Sequence, residues 1–172
     1  LLVEQPAHRD ETFASNVASE FAVWADRPAF IIDESDGAID SLPQALSLGY
    51  DGVSHKNCKG IVKGIANAAS LARERQKRVR PVHLSGEDLA NVGPIALFQD
   101  LAMMAALGIG HVERNGHHYF KGLSAWPESV QESMLENHDD LYGAHPEGYP
   151  ALVIKDGMLD LTSMNAAPFG PS

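Results

Sequence analysis

Short apolar runs alternate with helical patterns along most of the chain. The five runs are LLVE, AFIIDES, YDGVSHK, VRPVHLSGED and HVERNGHHYF, and the first four each precede a stretch with helical spacing. None of the runs shows the strict apolar–polar alternation of a half-exposed strand, which indicates strands covered on both faces. The pattern therefore predicts an α/β protein with about five parallel strands joined by crossover helices.

The predicted helices have definable buried faces. The first and third helices would each bury one row of apolar side chains, namely Phe13, Val17, Phe21 and Trp24 in the first and Ile61, Ile65, Ala68 and Ala72 in the third. The segment GPIALFQDLAMMAALGI is apolar almost all round, so we expect it to be buried, with Met103 and Met104 in the core. A shorter helix is expected near LPQALSLG.

After Pro127 the pattern changes. The segment PESVQESMLENHDDLYG predicts one more helix, and PALVIKDGMLDLTS predicts a hairpin whose two-residue turn is Asp156-Gly157. The ending NAAPFGPS is predicted to be irregular.

Composition narrows the class of protein. A net charge of -10 argues against non-specific nucleic-acid binding, which needs a basic surface. No apolar run approaches the roughly 20 residues of a membrane span, and no secretory leader is recognisable. A lone cysteine, Cys58, excludes an internal disulfide, and we expect a reducing, cytoplasmic location. Because the chain begins at Leu1 inside a strand-like run, we expect that an N-terminal part is missing.

Charged and polar side chains recur where the apolar runs end. Glu4 closes the first run, Asp33 and Glu34 the second, Lys56 the third, a segment from residue 83 to 88 the fourth, and Glu113 the fifth. In a β/α barrel the carboxyl ends of the strands converge on one mouth, where active sites lie. Carboxylate oxygens suit Mg²⁺, and a lysine close to a cation shifts towards its neutral, basic form. The spacing therefore predicts a site with a metal and a base.

Four of these segments, taken in order, resemble a known family. VEQP, IIDES, GYDGVSHKNCKG and HVER are similar to successive strands of the enolase superfamily, in its mandelate racemase and muconate lactonizing branch. The resemblance covers residues 1 to about 120, and the tail VIKDGMLDLTSMNAAPFG resembles the strand pair that returns to the family's capping domain. It implies a fold that is the C-terminal portion of a TIM-type barrel. Residues 1–150 would form this partial barrel, and residues 151–172 the tail that returns to the missing cap.

The resemblance also implies roles for single residues. Glu4 matches the metal-binding glutamate of the family's fourth strand, and Asp33 matches the carboxylate ligand of the fifth, with Glu34 as the second choice. Lys56 matches the acid/base lysine of the sixth strand.

Two further residues match the family's substrate-handling positions. Glu113 matches a glutamate that hydrogen-bonds the substrate carboxylate, and His83 lies on the strand where some members keep a catalytic histidine. The family's first metal ligand and its opposing base belong to strands that this chain lacks.

Neighbouring residues receive simpler interpretations. His55 would face away from Lys56 and be structural, Cys58 would be a small buried residue, and Lys59 would begin a helix and face solvent. His117 and His118 are adjacent, so packing or substrate contact is expected of them rather than a shared metal.

The resulting hypothesis is a fragment of a Mg²⁺-dependent isomerase or lyase, of racemase, acid-sugar dehydratase or cycloisomerase type. It would abstract the α-proton of a small carboxylate substrate, and its full-length parent would form a homo-oligomer without nucleic-acid or membrane partners. Two alternatives stay open at this stage. Lys56 could form a Schiff base in another β/α-barrel enzyme, or the chain could be a non-catalytic assembly module whose strand edges pair with a partner.

Overall fold

The computed structural model describes residues 1–87 and 90–166, apart from the side chains of His117 and His118. The strands in this part are β1 (Leu2–Glu4), β2 (Ala29–Ile32), β3 (Gly52–His55), β4 (His83–Glu87), β5 (Val112–Glu113), β6 (Tyr142–Ala144) and β7 (Pro150–Leu152). The helices are α1 (Val17–Ala22), α2 (Ser41–Leu48), α3 (Ile61–Arg75), α4 (Ile95–Ala106), α5 (Asn115–Tyr119), α6 (Glu128–Asn137) and α7 (Thr162–Ala166). The interpretation of the two adjacent histidine side chains lies outside the described part.

The first five strands form one sheet in the order β1-β2-β3-β4-β5. The pairs β1–β2, β2–β3 and β3–β4 are parallel, with Glu4 level with Ile31 and His55 level with Gly86. Beyond β4, the Gly86 N–H donates to the carbonyl of His111 at 2.9 Å. The α/β class and the five-stranded parallel sheet are confirmed, and neighbours in chain order are consistent with a partial β/α barrel.

Contacts divide the chain into two compact units. The first unit comprises Leu1–Gly86 and Ile109–His111, and the second comprises Glu87–Gly108 and Val112–Ser172. Each unit has its own apolar core. The first core contains Phe30, Ile32, Leu42, Tyr50, Val53 and Leu71. The second core contains Leu97, Phe98, Leu101, Leu123, Met134, Leu141, Tyr142 and Met164.

Strand β3 lies close to β4 because its first residue is glycine. A Cβ atom at Gly52 would lie 1.9 Å from the carbonyl oxygen of His83. Any side chain would therefore force the two strands apart at this point. The close approach fixes the register that carries Lys56, the residue after β3, to the carboxyl edge of the sheet.

Helix α3 buries a different face from the predicted one. Ile61 and Ile65 are about half exposed, whereas Gly64, Asn67 and Leu71 are buried. The cause is the buried imidazole of His55, since a Cβ at Gly64 would lie 2.5 Å from two of its ring atoms. Glycine thus lets the helix pack directly on the end of β3. The prediction that His55 is structural agrees with this packing.

Other predictions were only partly correct. Helix α1 is much shorter than the predicted helix, and Trp24 lies beyond its end and is 50% exposed. Helix α4 is buried on one side only, through residues that include Phe98 and Met104, while Ile95 is exposed. The fifth run forms the two-residue strand β5 and then α5.

The C-terminal region contains the predicted helix and turn. Helix α6 is confirmed, and Asp156 and Gly157 form a tight turn in which Lys155 and Met158 exchange two backbone hydrogen bonds. The strand ladder, however, joins β6 to β7, and the tight turn carries a single bridge rather than a hairpin. Of the ending predicted to be irregular, Asn165 and Ala166 belong to α7, and residues 167–172 lie outside the described residues.

A search of the described residues finds no helix whose length and apolar character would allow it to cross a lipid bilayer.

Candidate active site

Three of the predicted residues lie at the carboxyl edge of the sheet in the first unit. Glu4 is the last residue of β1, Asp33 follows β2, and Lys56 follows β3. Because these strands are parallel neighbours, their ends bring the three side chains to one edge. The carboxylates of Glu4 and Asp33 come together there, with an oxygen of each within 4.8 Å of the other.

Asp33 is the centre of a buried ion-pair cluster. Lys56 Nζ donates to its Oδ2 at 2.8 Å, and Lys59 Nζ donates to its Oδ1 at 2.5 Å. The Ser54 hydroxyl also donates to Oδ1. The side chains of Asp33, Lys56 and Lys59 are only 4%, 10% and 13% exposed. We call Asp33, Ser54, Lys56 and Lys59 the Asp33 cluster.

The environment fixes the ionisation of Asp33. Burial by itself raises the pKa of this carboxyl group, but hydrogen bonds from Lys56, Lys59 and Ser54 together outweigh burial and lower the pKa to about 2. Asp33 is therefore a carboxylate at every physiological pH. Strongly perturbed pKa values of this kind occur both at functional sites and in structural ion-pair networks.

Lys59 was predicted to face solvent, and that prediction was wrong. Residues Asn57–Lys59 form one turn of 3-10 helix, which has three residues per turn, so Lys59 lies beneath Lys56 on the same side. The Lys59 ammonium also donates to the carbonyls of Asp33, at 2.9 Å, and Ser54, at 3.1 Å. The same turn directs Cys58 outwards, so the prediction of a buried cysteine was also wrong.

Gln5 holds the loop that carries Asp33. Its side-chain oxygen accepts hydrogen bonds from the backbone N–H of Asp33, at 2.8 Å, and Ser35, at 3.3 Å. Its amide nitrogen donates to the hydroxyls of Thr12, at 2.8 Å, and Ser35, at 2.9 Å. Gln5 thus ties the end of β1 to the end of β2. This connection keeps Asp33 and Glu4 side by side.

The side chains at this edge of the sheet provide some of the oxygen ligands that a hard cation needs. Glu4 and Asp33 offer carboxylate oxygens, the ligands that Mg²⁺ prefers in proteins. Both oxygens of Asp33 also accept hydrogen bonds from ammonium groups. A cation bound by Asp33 would therefore compete with Lys56 and Lys59 for the same two oxygens.

The remaining predicted residues lie elsewhere. Glu34 is exposed, because it lies in the turn after β2, which the Asp36 N–H closes on the Asp33 carbonyl at 2.9 Å. His83 is the first residue of β4 and pairs with Gly52 of β3. Because Gly52 is four residues before Lys56, the structure does not bring His83 to the Asp33 cluster. Glu113 ends β5 in the second unit and is exposed.

Sequence reasoning missed Lys59 and Ser54 as members of the cluster. A signal for Lys59 was present, because SHKNCKG places two lysines three residues apart just before a glycine. Ser54 gave a weaker one, as it lies two residues before Lys56 and alternation turns both to the same side of the strand.

Comparison of the chain with protein-family models, with curated proteins and with solved structures finds no match in any of the three.

Proposed function

We propose that the first unit belongs to a Mg²⁺-dependent enzyme that abstracts the α-proton of a small carboxylate substrate, as enolase-superfamily enzymes do. The observation that carries this proposal is the Asp33 cluster. A buried carboxylate, two lysines bound to it and a second carboxylate within 4.8 Å occupy the carboxyl edge of a parallel sheet. Glu4, Asp33 and Lys56 follow one another along the chain in the order that the family resemblance implies, with two metal ligands before a lysine base.

Glu4 and Asp33 are the residues of this chain that would hold Mg²⁺. When bound, the cation would supply positive charge that favours loss of a proton next to the substrate carboxylate. Asp33 suits the task because its low pKa keeps it ionised. Gln5 suits it too, because it fixes the backbone at Asp33 through the hydrogen bond of 2.8 Å to the Asp33 N–H.

Lys56 is the proposed base. Its ammonium donates to Asp33 Oδ2 at 2.8 Å, and an ammonium group has no lone pair with which to accept a proton. A cation bound at Asp33 Oδ2 would displace the Lys56 ammonium from that oxygen, and the lysine side chain is only 10% exposed. Burial and a neighbouring cation both favour the neutral amine, so ligand exchange at Asp33 would favour Lys56 as a base.

Lys59 is proposed as a positioning residue. Its ammonium bridges Asp33 Oδ1 and the Ser54 carbonyl, so it joins the ends of β2 and β3 whatever Lys56 does. It also leaves a fixed positive charge near the Lys56 amine. A neighbouring positive charge lowers the affinity of an amine for a proton, which supports the role of Lys56 as a base.

The direct test is exchange of substrate α-protons with solvent deuterium, followed by proton NMR over a panel of α-hydroxy and sugar acids with and without Mg²⁺. We expect Lys56→Met to lower the exchange rate by roughly 10²-fold or more, the usual contribution of a positioned base. Chelation of divalent cations should abolish exchange in the unmodified protein.

Lys63→Met is the matched control. Lys63 forms a comparable buried ion pair with Asp36 in the same unit, at 2.5 Å and with side chains 11% and 2% exposed, but it is not part of the Asp33 cluster. It should lose similar stability and keep its exchange rate. Full, chelator-sensitive exchange in Lys56→Met would remove Lys56 from the mechanism.

The two lysines also favour a second candidate, in which one amine forms a Schiff base with a carbonyl substrate. An amine beside a second ammonium group is the arrangement that activates such lysines. Borohydride reduction in the presence of pyruvate, followed by peptide mass analysis, separates the two candidates. Covalent addition at Lys56 or Lys59, together with activity that survives chelator, would replace the first proposal by the second.

A further inference from the structure

The second unit contains a cavity of about 170 Å³. Much of its lining is apolar, through Val92, Leu97, Leu123 and Leu152. Polar side chains also line it, among them Arg114 and Tyr142. An apolar cavity with a small number of polar groups is the usual form of a small-molecule site.

The Tyr142 hydroxyl has no hydrogen-bond partner among the described residues. The side chain is almost completely buried, with 3% of the residue exposed. Burial raises its pKa, and the nearby positive charge of Arg114 offsets this only in part, so the phenol stays protonated and able to donate. Buried polar groups in native proteins nearly always have a partner, so a hydroxyl of this kind indicates that a ligand supplies it.

Arg114 places a positive charge at the same cavity. The second unit has twelve acidic residues and three basic ones, and of these three only Arg114 is buried, at 9% exposure. Exposed Lys121 and Lys155 cannot serve an interior site. Because the guanidinium group forms paired hydrogen bonds with carboxylates, Arg114 and the Tyr142 hydroxyl together suit one carboxylate group.

The rest of the lining indicates the shape of the ligand. The rings of His145 and Tyr149 both line the cavity, stacked 4.5 Å apart and inclined by 14°. Rings stacked in this way each keep one outer face, against which a planar group can pack. Cavities of roughly 150 Å³ in other proteins admit benzene, so this one has room for a single ring with a small substituent.

We propose that this cavity binds a small organic monocarboxylate with a flat apolar body, whose carboxylate group is held by Arg114 and the Tyr142 hydroxyl. The site is separate from the Asp33 cluster, because all of its residues belong to the second unit. It does not depend on the proposed proton abstraction, and either proposal can fail while the other stands.

Benzoate is the probe, and ligand-observed NMR titration of the purified protein gives its Kd. We expect benzoate to bind at least tenfold more tightly than benzamide, which has the same ring without the charge. Tyr142→Phe should weaken benzoate binding by about tenfold, because the lost hydrogen bond is to a charged group. Its melting temperature should be unchanged or slightly raised, because the hydroxyl that it removes has no protein partner among the described residues.

Tyr50→Phe and Lys56→Met are the controls. Tyr50 is also fully buried, but its hydroxyl bonds the Thr12 carbonyl at 3.2 Å in the first unit, so its variant should melt earlier and bind benzoate normally. Lys56→Met tests whether benzoate binds at the Asp33 cluster instead. Equal affinity in Tyr142→Phe, equal affinity for benzamide, loss of binding in Lys56→Met, or absence of benzoate binding would each overturn the proposal.

Discussion

In the first unit, three buried aspartates each accept hydrogen bonds from lysine or arginine, whereas in the second unit the buried side chains of His138 and Tyr142 each have a polar atom without a partner among the described residues. The aspartates are Asp33, Asp36 and Asp51. These atoms are His138 Nε2 and the Tyr142 hydroxyl oxygen, and the described residues of the first unit contain two unpartnered atoms of their own, Asp36 Oδ1 and Ser85 Oγ. The difference separates two uses of a buried polar group. A paired charge fixes the local structure, and an unpartnered group leaves an interaction for a ligand or a proton.

The Asp51 pair is the most buried of the three. Asp51 accepts hydrogen bonds from the Arg27 guanidinium, from Arg80 Nε at 2.9 Å and from the Phe30 N–H at 3.0 Å. The Arg27 guanidinium also lies over the rings of Phe21 and Phe30, 4.7 and 5.0 Å from their centroids. These residues precede β2 and β3 or pack beside them, at the end opposite the Asp33 cluster. At that end of a β/α barrel, residues are expected to stabilise the fold rather than to take part in chemistry.

The largest effect should follow from breaking this pair. Asp51→Asn keeps the size of the side chain but leaves the buried Arg27 without its counter-ion. We expect a loss of about 3 kcal/mol or more in the free energy of unfolding, measured by urea denaturation. Glu147→Gln is the control, because its ion pair with Lys121 is exposed, with side chains 59% and 70% exposed, and should give no measurable change. Equal effects of the two variants would contradict the comparison.

The sequence was sufficient for the strand order and for part of the candidate site. Apolar runs at regular spacing determine the β/α alternation, and a residue that directly follows a parallel strand must lie at its carboxyl edge. The sequence alone therefore places Glu4, Asp33 and Lys56 together. The position of His83 was harder to predict. The apolar run that contains it extends beyond β4 at both ends, and His83 is the first residue of the strand rather than the last.

Long-range packing determined what the sequence could not show. The buried face of α3 depends on the contact between Gly64 and His55, whereas the spacing of the apolar residues predicted that Ile61 and Ile65 would be buried. Lys59 joined the cluster through a 3-10 turn that periodicity does not reveal. The cavity in the second unit combines residues from segments between positions 91 and 152, so no local pattern indicates it.

Packing at Gly64 gives a second, smaller prediction for the first unit. Replacing glycine by alanine in a helix ordinarily stabilises it by up to about 1 kcal/mol. At Gly64 the new methyl group would lie 2.5 Å from His55 ring atoms, and overpacking of this kind costs roughly 1–3 kcal/mol. We therefore expect Gly64→Ala to lower the free energy of unfolding by about 1 kcal/mol. Gly37→Ala, where a Cβ meets nothing within 4 Å, should be neutral, and stabilisation by Gly64→Ala would show that His55 moves freely.

His138 gives a third prediction, which distinguishes the two units by pH. The imidazole is 3% exposed, contacts the Phe98 ring edge-on at 4.7 Å, and its Nδ1 lies 2.8 Å from the Ser163 hydroxyl. That hydroxyl donates to Asp140. Burial lowers the pKa of His138 below its usual value of 6.5, and the negative charge of Asp140 offsets this only in part. The fold therefore favours the neutral ring.

The sign of the effect follows from this shift. A group whose pKa is lower in the folded state binds more protons when unfolded, so the free energy of unfolding falls as pH decreases below about 6.5. The contribution of Asp33 in the first unit is present above its usual pKa of 3.8 and is lost only as the pH falls from there towards 2. Between pH 7 and pH 5, His138 should therefore contribute to the pH dependence while Asp33 does not.

NMR titration of the His138 ring and urea denaturation at pH 7 and pH 5 test this expectation together. The ring should titrate below 6.5, and the decrease in stability should be smaller in His138→Gln than in the unmodified protein, because the variant lacks the titrating group. Asp33→Asn should leave the decrease unchanged over the same interval. A His138 ring that titrates at 6.5 or above would mean that the second unit accommodates the imidazolium, and the contrast between paired and unpartnered buried groups would not extend to this residue.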